Sequence, residues 1–369
     1  MSVGTSITAS ICSLGTVTVG ARGVDNFSSV QLAGGTINSA GLVNNPGYWS
    51  GYGGVTGAGS FTNDGLLRQG DGTLTFSNAG TNSNNGTWEM PAGRSLILAS
   101  GLANAGALKL NGGTLSGGTL VNGVASTISG SGRITSALDN RGSLVINEGL
   151  TLVDNAFVNR GQILLGSNLT TLGGGQISNL GLIQGLGKIN SAISNANALG
   201  VIEAQGGTLT LNGQIVGILA ANSGAKLLIT QGLASNAGKI QLADGTLDNN
   251  NLPMVNEAVV AISGFGTVRG GQLTNKGKVL LSGGSSTIYT DILVVNASQI
   301  ILSGLSNNTF HGKLRCAERR RAAGGDRLGG HLLRRCAATH RRQIHRRGGQ
   351  AIRRHVDGQC VAGHGVRRR

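Results

Sequence analysis

Apolar and polar residues alternate along most of this chain in short runs. In segments such as 17–19 (Val-Thr-Val) and 208–211 (Thr-Leu-Thr-Leu) every second residue is apolar, which is the pattern of a strand with one buried face. The runs are three to five residues long and are bounded by Gly or Asn. The pattern therefore predicts many short strands separated by tight turns, and an all-β fold.

Two short sequence motifs, called words below, recur along the chain. Asn-x-Gly, followed within two positions by an aliphatic residue, recurs at intervals near 19 or 20, with Asn and Gly at Asn63 and Gly65, Asn104 and Gly106, Asn140 and Gly142, Asn159 and Gly161, Asn179 and Gly181, Asn236 and Gly238, and Asn275 and Gly277. Degenerate copies fall at Asn85, Asn256 and Asn296, and a second word, Gly-Thr-Leu or Gly-Thr-Ile, lies between the copies. A repeat of this length cannot fold alone and must stack on its own copies.

The repeat predicts a right-handed parallel β-solenoid in which each repeat forms one coil. Roughly 14 coils at about 4.8 Å spacing would make a rod on the order of 70 Å long. We expect residues 24–311 to form this solenoid and residues 1–23 to form an irregular segment or the first coils. Corners need backbone at φ > 0, which Gly and Asn accept, and Asn at equivalent corners can form hydrogen-bonded ladders.

These words, together with a Gly-x-Gly-x-Ile word, resemble the passenger regions of autotransporter and filamentous-haemagglutinin-type bacterial surface proteins. The likeness covers residues 24–311 and implies a location outside the bacterial cell or on its outer surface. Because that family carries many activities on similar coils, it specifies architecture more than function. The expected function is a non-catalytic passenger or stalk, with carbohydrate or a host or neighbouring cell surface as its partner. A polysaccharide lyase or hydrolase is the alternative.

The composition argues against several kinds of functional site in residues 1–312, called the body of the chain below. The chain has 65 Gly but only 3 Pro, and Cys12 is the only cysteine before residue 316, so the sequence predicts no internal disulfide, no cofactor and no Cys/His metal site in the body. Residues 1–23 contain no basic residue before Arg22 and do not match a signal peptide. No apolar stretch is long enough for a membrane-spanning helix.

Carboxylates are the only candidate catalysts in the body, because glycosidases work with paired Asp or Glu side chains. The densest group is Asp139, Glu148 and Asp154, with the neighbouring arginines Arg133, Arg141 and Arg160. Their positions beside corners and turns favour a solvated rim over an active site. The segment containing Gly264 and Gly266 resembles a dinucleotide-binding loop, but it has sister copies without a following helix, which favours a solenoid corner.

One segment concentrates the aromatic residues. Residues 46–54 include Tyr48, Trp49 and Tyr52, which are three of the five Tyr and Trp residues of the chain. The surrounding glycines predict a loop that leaves the coil. Such a loop either contacts a carbohydrate or protein ligand or forms an aromatic plug over the first coils.

The last 57 residues carry nearly all of the net charge. There are 13 Lys and Arg against 12 Asp and Glu before Lys313, and 17 against 3 from Lys313 onward. Three interpretations compete for residues 312–369: a disordered polyanion-binding arm, a metal site at His355, Cys360 and His364, and a frameshifted, non-native translation. The frameshift is favoured because the codons for 350–359, read one base later, permit Lys-Arg-Phe-Asp-Gly-Thr-Leu-Thr-Val, and those for 317–324 permit an Asn-Gly-Gly word. Specific nucleic-acid binding is not expected.

Overall fold

The computed structural model of the protein describes residues 8–195, 199–213, 215–216, 218–290, 293–303 and 308–316. These residues form one parallel β-solenoid of about 15 turns, with about 20 residues in each coil. The described part of the chain contains no helix, and so none long and apolar enough to cross a membrane. The predicted all-β solenoid is confirmed, whereas the predictions for residues 317–369 lie outside the described residues.

The strands are short and follow one another closely along the chain. In chain order they are β1 (Thr8–Cys12), β2 (Thr16–Val19), β3 (Val24–Asp25), β4 (Ser29–Ser39), β5 (Val43–Asn45), β6 (Tyr48–Thr56), β7 (Phe61–Asn63), β8 (Leu66–Phe76), β9 (Asn82–Asn84), β10 (Thr87–Glu89), β11 (Ser95–Leu98), β12 (Leu102–Asn104), β13 (Ala107–Lys109), β14 (Thr114–Gly117), β15 (Leu120–Asn122), β16 (Thr127–Ser129), β17 (Gly132–Ile134), β18 (Leu138–Asn140), β19 (Ser143–Ile146), β20 (Gly149–Val153), β21 (Phe157–Asn159), β22 (Gln162–Gly174), β23 (Ile177–Asn179), β24 (Leu182–Ile189), β25 (Ile193–Ser194), β26 (Val201–Leu211), β27 (Ile215–Val216), β28 (Ile218–Ala221), β29 (Lys226–Ile229), β30 (Ser235–Asn236), β31 (Ile240–Asp248), β32 (Met254–Asn256), β33 (Ala261–Gly270), β34 (Leu273–Asn275), β35 (Lys278–Leu281), β36 (Ser286–Thr290), β37 (Val294–Asn296), β38 (Gln299–Leu302), β39 (Asn308–His311) and β40 (Leu314–Cys316).

Each coil has three strand faces. Face 1 consists of the short strands that mostly end in Asn, such as β7, and these strands form an 11-stranded and a 5-stranded sheet. The chain then turns into face 2 and next into face 3, which together form a 24-stranded sheet. In some coils, as in β8, one long strand bends at the corner and serves both faces.

The core consists of side-chain columns that run from coil to coil. On face 2, residues in register with one another point inward, in the order Trp49, Leu67, Trp88, Leu108, Ile128, Leu144, Ile163, Ile183, Ile202, Leu219, Ile240, Ile262 and Val279. Each of these side chains is buried, and burial of one large apolar side chain contributes about 1.5–3 kcal/mol. The alternation of apolar and polar residues in the strands is what places them on one side of the sheet.

A ladder of buried asparagines runs along the corner between face 1 and face 2. In it the Nδ2 of each Asn donates to the Oδ1 of the Asn one coil further on, at 2.7–2.8 Å, through Asn26, Asn45, Asn63, Asn84, Asn104, Asn122, Asn140, Asn159 and Asn179. A second ladder links Asn236, Asn256, Asn275 and Asn296 at 2.8 Å. The second Nδ2 proton of most of these side chains meets a face-2 carbonyl of the next coil, as in Asn140 to Gln162 O at 3.1 Å. The amides therefore satisfy one another where water is excluded.

The ladder is interrupted between the two series. Asn195 follows β25 at the equivalent corner, but Asn179 donates to Val201 O rather than to Asn195. Within the described residues the Oδ1 of Asn195 is buried without a hydrogen-bond partner. In the sequence β27 is followed by Gly217, a residue without a side-chain amide.

The glycine of Asn-x-Gly serves a different purpose from the one expected. The corner glycines of this word do not have φ > 0 within the described chain, so the expectation of a left-handed corner is wrong for them. A Cβ on Gly161 would instead lie 2.0 Å from the carbonyl oxygen of Gly142 in the preceding coil. These glycines are needed because stacked corners bring one backbone against the next, whereas the Gly-x-Gly word does adopt positive φ, as at Gly185 (122°) and Gly187 (129°).

Four asparagines of the ladder are absent from the copies identified in the sequence. They are Asn26, Asn45, Asn84 and Asn122. The degenerate copy placed at Asn85 is wrong by one position, because Asn85 is exposed and donates to Asp64 at 2.7 Å. Aligning residues 84–86 (Asn-Asn-Gly) and 45–47 (Asn-Pro-Gly) with the word would have found two of the four.

Parallel pairing extends on both sides of residues 24–311. At the start, β1 and β2 pair with the two halves of β4. At the other end, β40 pairs with β37, which puts Cys316 in register with Asn296 at the ladder position. Asn296 Nδ2 donates to the carbonyl of Ser298, two residues further along the chain.

Candidate functional site

The aromatic segment is a strand and not a loop. Residues Tyr48–Thr56 form β6, and Trp49 is 1% exposed in the face-2 core column between Val30 and Leu67. The prediction of a loop leaving the coil is therefore wrong, and Trp49 cannot contact a ligand. The glycines at 51 and 53, with φ of 111° and 134°, bend the strand from face 2 to face 3, which is why the segment resembles a Gly-rich loop in sequence.

Trp49 belongs to an aromatic cluster inside the coils. Its ring centroid lies 5.4 Å from that of Phe61, and Phe61 in turn packs on Phe76 at 4.6 Å and on Trp88 at 5.9 Å. The Trp49–Phe61 contact is edge-to-face at 88°, whereas the other two pairs are tilted at 55° and 60°, and an edge-to-face contact adds about 0.5–1.5 kcal/mol beyond burial. The cluster fills the coils from within and is not a plug over their end.

Tyr48 and Tyr52 have their side chains on the outside of β6. Tyr52 lines a surface groove of about 460 Å³ at the corner between faces 2 and 3, which is bordered by Gln31, Ser50, Arg68 and Arg94 among others. A Cβ added at Gly72 would lie 2.8 Å from the Tyr52 ring. The ring thus rests directly on the glycine backbone of the next coil, which fixes its place in the groove.

The groove has an uncompensated positive charge. Arg94 forms an ion pair with Asp71, but none of the ion pairs among the described residues includes Arg68. The acidic residue in register with Arg68 is Glu89, and its carboxylate is held by Lys109 at 3.0 Å. An aromatic face beside a guanidinium and hydroxyl or amide groups suits a polar, hydroxyl-rich or anionic ligand.

Two of the three carboxylates singled out in the sequence, Asp139 and Asp154, form ion pairs with arginines, and each has one partner in a neighbouring coil. Asp139 binds Arg160 at 2.5 Å and Arg141 at 2.7 Å, and Asp154 binds Arg133 at 2.9 Å. The hydrogen bond from Arg133 to Asp154 and the charge of that carboxylate raise the pKa of Arg133. Exposed pairs of this kind contribute about 0–1 kcal/mol each. Glu148 is exposed and takes part in none of the ion pairs among the described residues.

A further acidic residue bridges three coils. Glu257 accepts a hydrogen bond from Ser235 Oγ at 3.0 Å and pairs with Lys276 Nζ at 3.2 Å. The Ser235 hydrogen bond lowers the pKa of Glu257, and Lys276 lowers it further. Since both partners favour the ionised carboxylate, Glu257 is a structural anion at neutral pH.

The remaining sequence candidates lie elsewhere. Gly264 and Gly266 are inside β33 at a corner of the coil, so the glycine word is part of a strand rather than a phosphate-binding loop. Among the residues that the structure describes, no three His, Cys, Asp or Glu side chains group as a metal site would require. Cys12 is exposed and unpaired, while His355, Cys360 and His364 lie outside the described residues.

Comparison with known proteins does not place this chain in a family. A scan against protein-family models finds no match, and searches of the curated proteins and of the solved structures find none either.

Proposed function

We propose that this protein is a non-catalytic rod that a bacterium displays on its surface or releases, as a passenger or stalk. The observation that supports this most is the continuity of the stack, in which strand columns and two asparagine ladders join coil to coil. Such a structure gains length with every repeat. A fold whose repeats add length, and not an enclosed pocket, suits a rod that holds binding surfaces away from the cell.

The charged residues favour a scaffold over an enzyme. Glycoside hydrolysis needs two carboxyl groups facing one sugar bond, about 5–9 Å apart. Asp139 and Asp154 are instead each occupied by arginines, and Asp71 is the one carboxylate that lines the Tyr52 groove. Ion-paired carboxylates serve coil stacking better than proton transfer.

We assign the adhesive contact to the Tyr52 groove, with carbohydrate on a host or neighbouring cell as the partner. The Tyr52 ring provides a flat apolar face, and Arg68 and Ser50 provide donors beside it. Such weak contacts from several rods displayed on one surface would add by avidity, since each further contact is effectively intramolecular once the first has formed.

The experiment compares the full chain with Tyr52→Ala and with the control Tyr48→Ala, whose tyrosine is 37% exposed and outside the groove. The proteins are tested on an array of surface glycans and for release of reducing ends from polysaccharides. We expect glycan binding that Tyr52→Ala weakens and Tyr48→Ala retains, with no new ends released. Depolymerisation that is lost in Asp139→Asn or Asp154→Asn would replace the scaffold with an enzyme.

A further inference from the structure

A second cluster of functional side chains lies on the outside of face 3, far along the chain from the Tyr52 groove. Arg269, Tyr289 and His311 occupy one column in three successive coils. The guanidinium carbon of Arg269 lies 5.6 Å from the centroid of the Tyr289 ring, and the Tyr289 and His311 rings are 5.4 Å apart at 46°. Parallel pairing of the coils therefore makes a continuous stack of three planar groups.

The charge of Arg269 is not neutralised by its neighbours. Asp248 precedes it in the same column, but Lys226 Nζ binds that carboxylate at 2.7 Å, and the backbone N–H of Asn250 donates to it at 2.9 Å. No ion pair among the described residues involves Arg269. A guanidinium stacked on an aromatic ring keeps its N–H donors in its own plane, where a carboxylate can bind them in pairs.

The stack borders a shallow cavity of about 360 Å³, which Thr267 and Thr287 complete. The two threonines are in register with each other and lie two residues before Arg269 and Tyr289. Two coil spacings, about 10 Å, separate the ends of the stack. The cavity thus combines one cation, the exposed part of a tyrosine ring that is 39% exposed, and two threonine hydroxyl groups.

We propose that this cavity binds a carboxylate-bearing sugar unit of an acidic polysaccharide. Arg269 pairs with the carboxylate, the exposed part of the Tyr289 ring contacts the apolar side of the sugar, and Thr267, Thr287 and His311 bond its hydroxyl groups. A neutral sugar would leave the guanidinium without its anion, and a simple anion would not use the ring. The site does not depend on the Tyr52 groove or on the rod being non-catalytic.

The test is calorimetric titration of the full chain with tetragalacturonate as the acidic probe and maltotetraose as the neutral one. Tyr289→Ala leaves the net charge unchanged, so binding of the acidic probe to the basic residues 313–369 is the same in both proteins. Arg269→Gln is matched by Lys278→Gln, which removes the same charge at an exposed position of the next coil on face 2. Tyr48→Ala is the matched control for the tyrosine.

We expect Arg269→Gln and Tyr289→Ala to weaken tetragalacturonate binding by about tenfold or more, while Lys278→Gln and Tyr48→Ala change it little. Tyr289→Phe keeps the ring and should keep most of the affinity, which separates loss of the contact from loss of folding. Equal binding by Tyr289→Ala and Tyr48→Ala, or equal binding of maltotetraose and tetragalacturonate, would overturn the proposal.

Discussion

Asn140 lies in the middle of the longer asparagine ladder and offers the sharpest test of how the coils are held together. Its Oδ1 accepts from Asn122 Nδ2, and its Nδ2 donates to Asn159 Oδ1, both at 2.7 Å. All three side chains are buried. Replacement by Ala removes both bonds, together with the bond from Asn140 Nδ2 to Gln162 O at 3.1 Å.

The cost follows from the groups left without partners. One Nδ2 proton of Asn122 and the Oδ1 of Asn159 would be buried and unpaired, and each such group costs about 1–3 kcal/mol. Asn140→Ala should therefore lower the free energy of unfolding by about 2–6 kcal/mol. Asn85→Ala removes an exposed amide bonded to Asp64 at 2.7 Å, and an exposed substitution of this kind should cost less than about 0.5 kcal/mol.

Urea denaturation gives the global effect, and hydrogen exchange read by mass spectrometry gives its location. Because each coil contacts only its neighbours, the coils that lose an asparagine hydrogen bond can open locally without unfolding the rod. We expect faster exchange in β15, β18 and β21, together with a lower urea midpoint. If Asn140→Ala matches Asn85→Ala in both the midpoint and the exchange of these strands, the ladder does not stabilise the stack.

Three other predictions concern the corners, the charges and the basic segment. Gly161→Ala, whose Cβ would meet the Gly142 carbonyl at 2.0 Å, should destabilise the protein by about 3 kcal/mol or more in urea denaturation, whereas Gly20→Ala, with open space around it, should not. The pKa of Glu257 is lowered in the folded protein, so its contribution to stability is present above the ordinary glutamate pKa and is lost as pH falls through the folded value. In urea denaturation, wild type should therefore lose more stability on acidification than Glu257→Gln. Parallel curves of stability against pH for the two proteins would contradict this. Resequencing the codons for 307–369 should reveal one inserted or deleted base that restores the repeat words, and an unchanged frame would reject the frameshift.

The fold could be predicted because its signals are local and repeated. Alternation of apolar and polar residues sets which side chains point inward, and the spacing of Asn-x-Gly sets the coil length. The function of the corner glycine could not be predicted in this way. A side chain is excluded at Gly161 because its Cβ would lie 2.0 Å from a carbonyl oxygen of the preceding coil. This contact exists only once the coils are stacked.

The candidate sites were harder to predict because their members are far apart in sequence. Arg269, Tyr289 and His311 meet only through register, and no short motif marks them. The ion pairs Arg133–Asp154 and Asp139–Arg160 each join residues 21 positions apart, so adding one coil length to each charged position would have found both. The sequence predicts a loop around Trp49, where the structure has a strand, because a glycine-bent strand and a glycine-rich loop have the same composition.

The chain advances by one strand spacing along the solenoid axis with every coil, and distances between spin labels test this most directly. Ser50, Ser129 and Gln241 lie in one outward column of face 2, four and then six coils apart by register. With native cysteines replaced by Ser, pulsed electron spin resonance should give about 19 Å from 50 to 129 and about 48 Å from 50 to 241, in proportion to coil number. Distances that do not grow with the number of coils would contradict the solenoid.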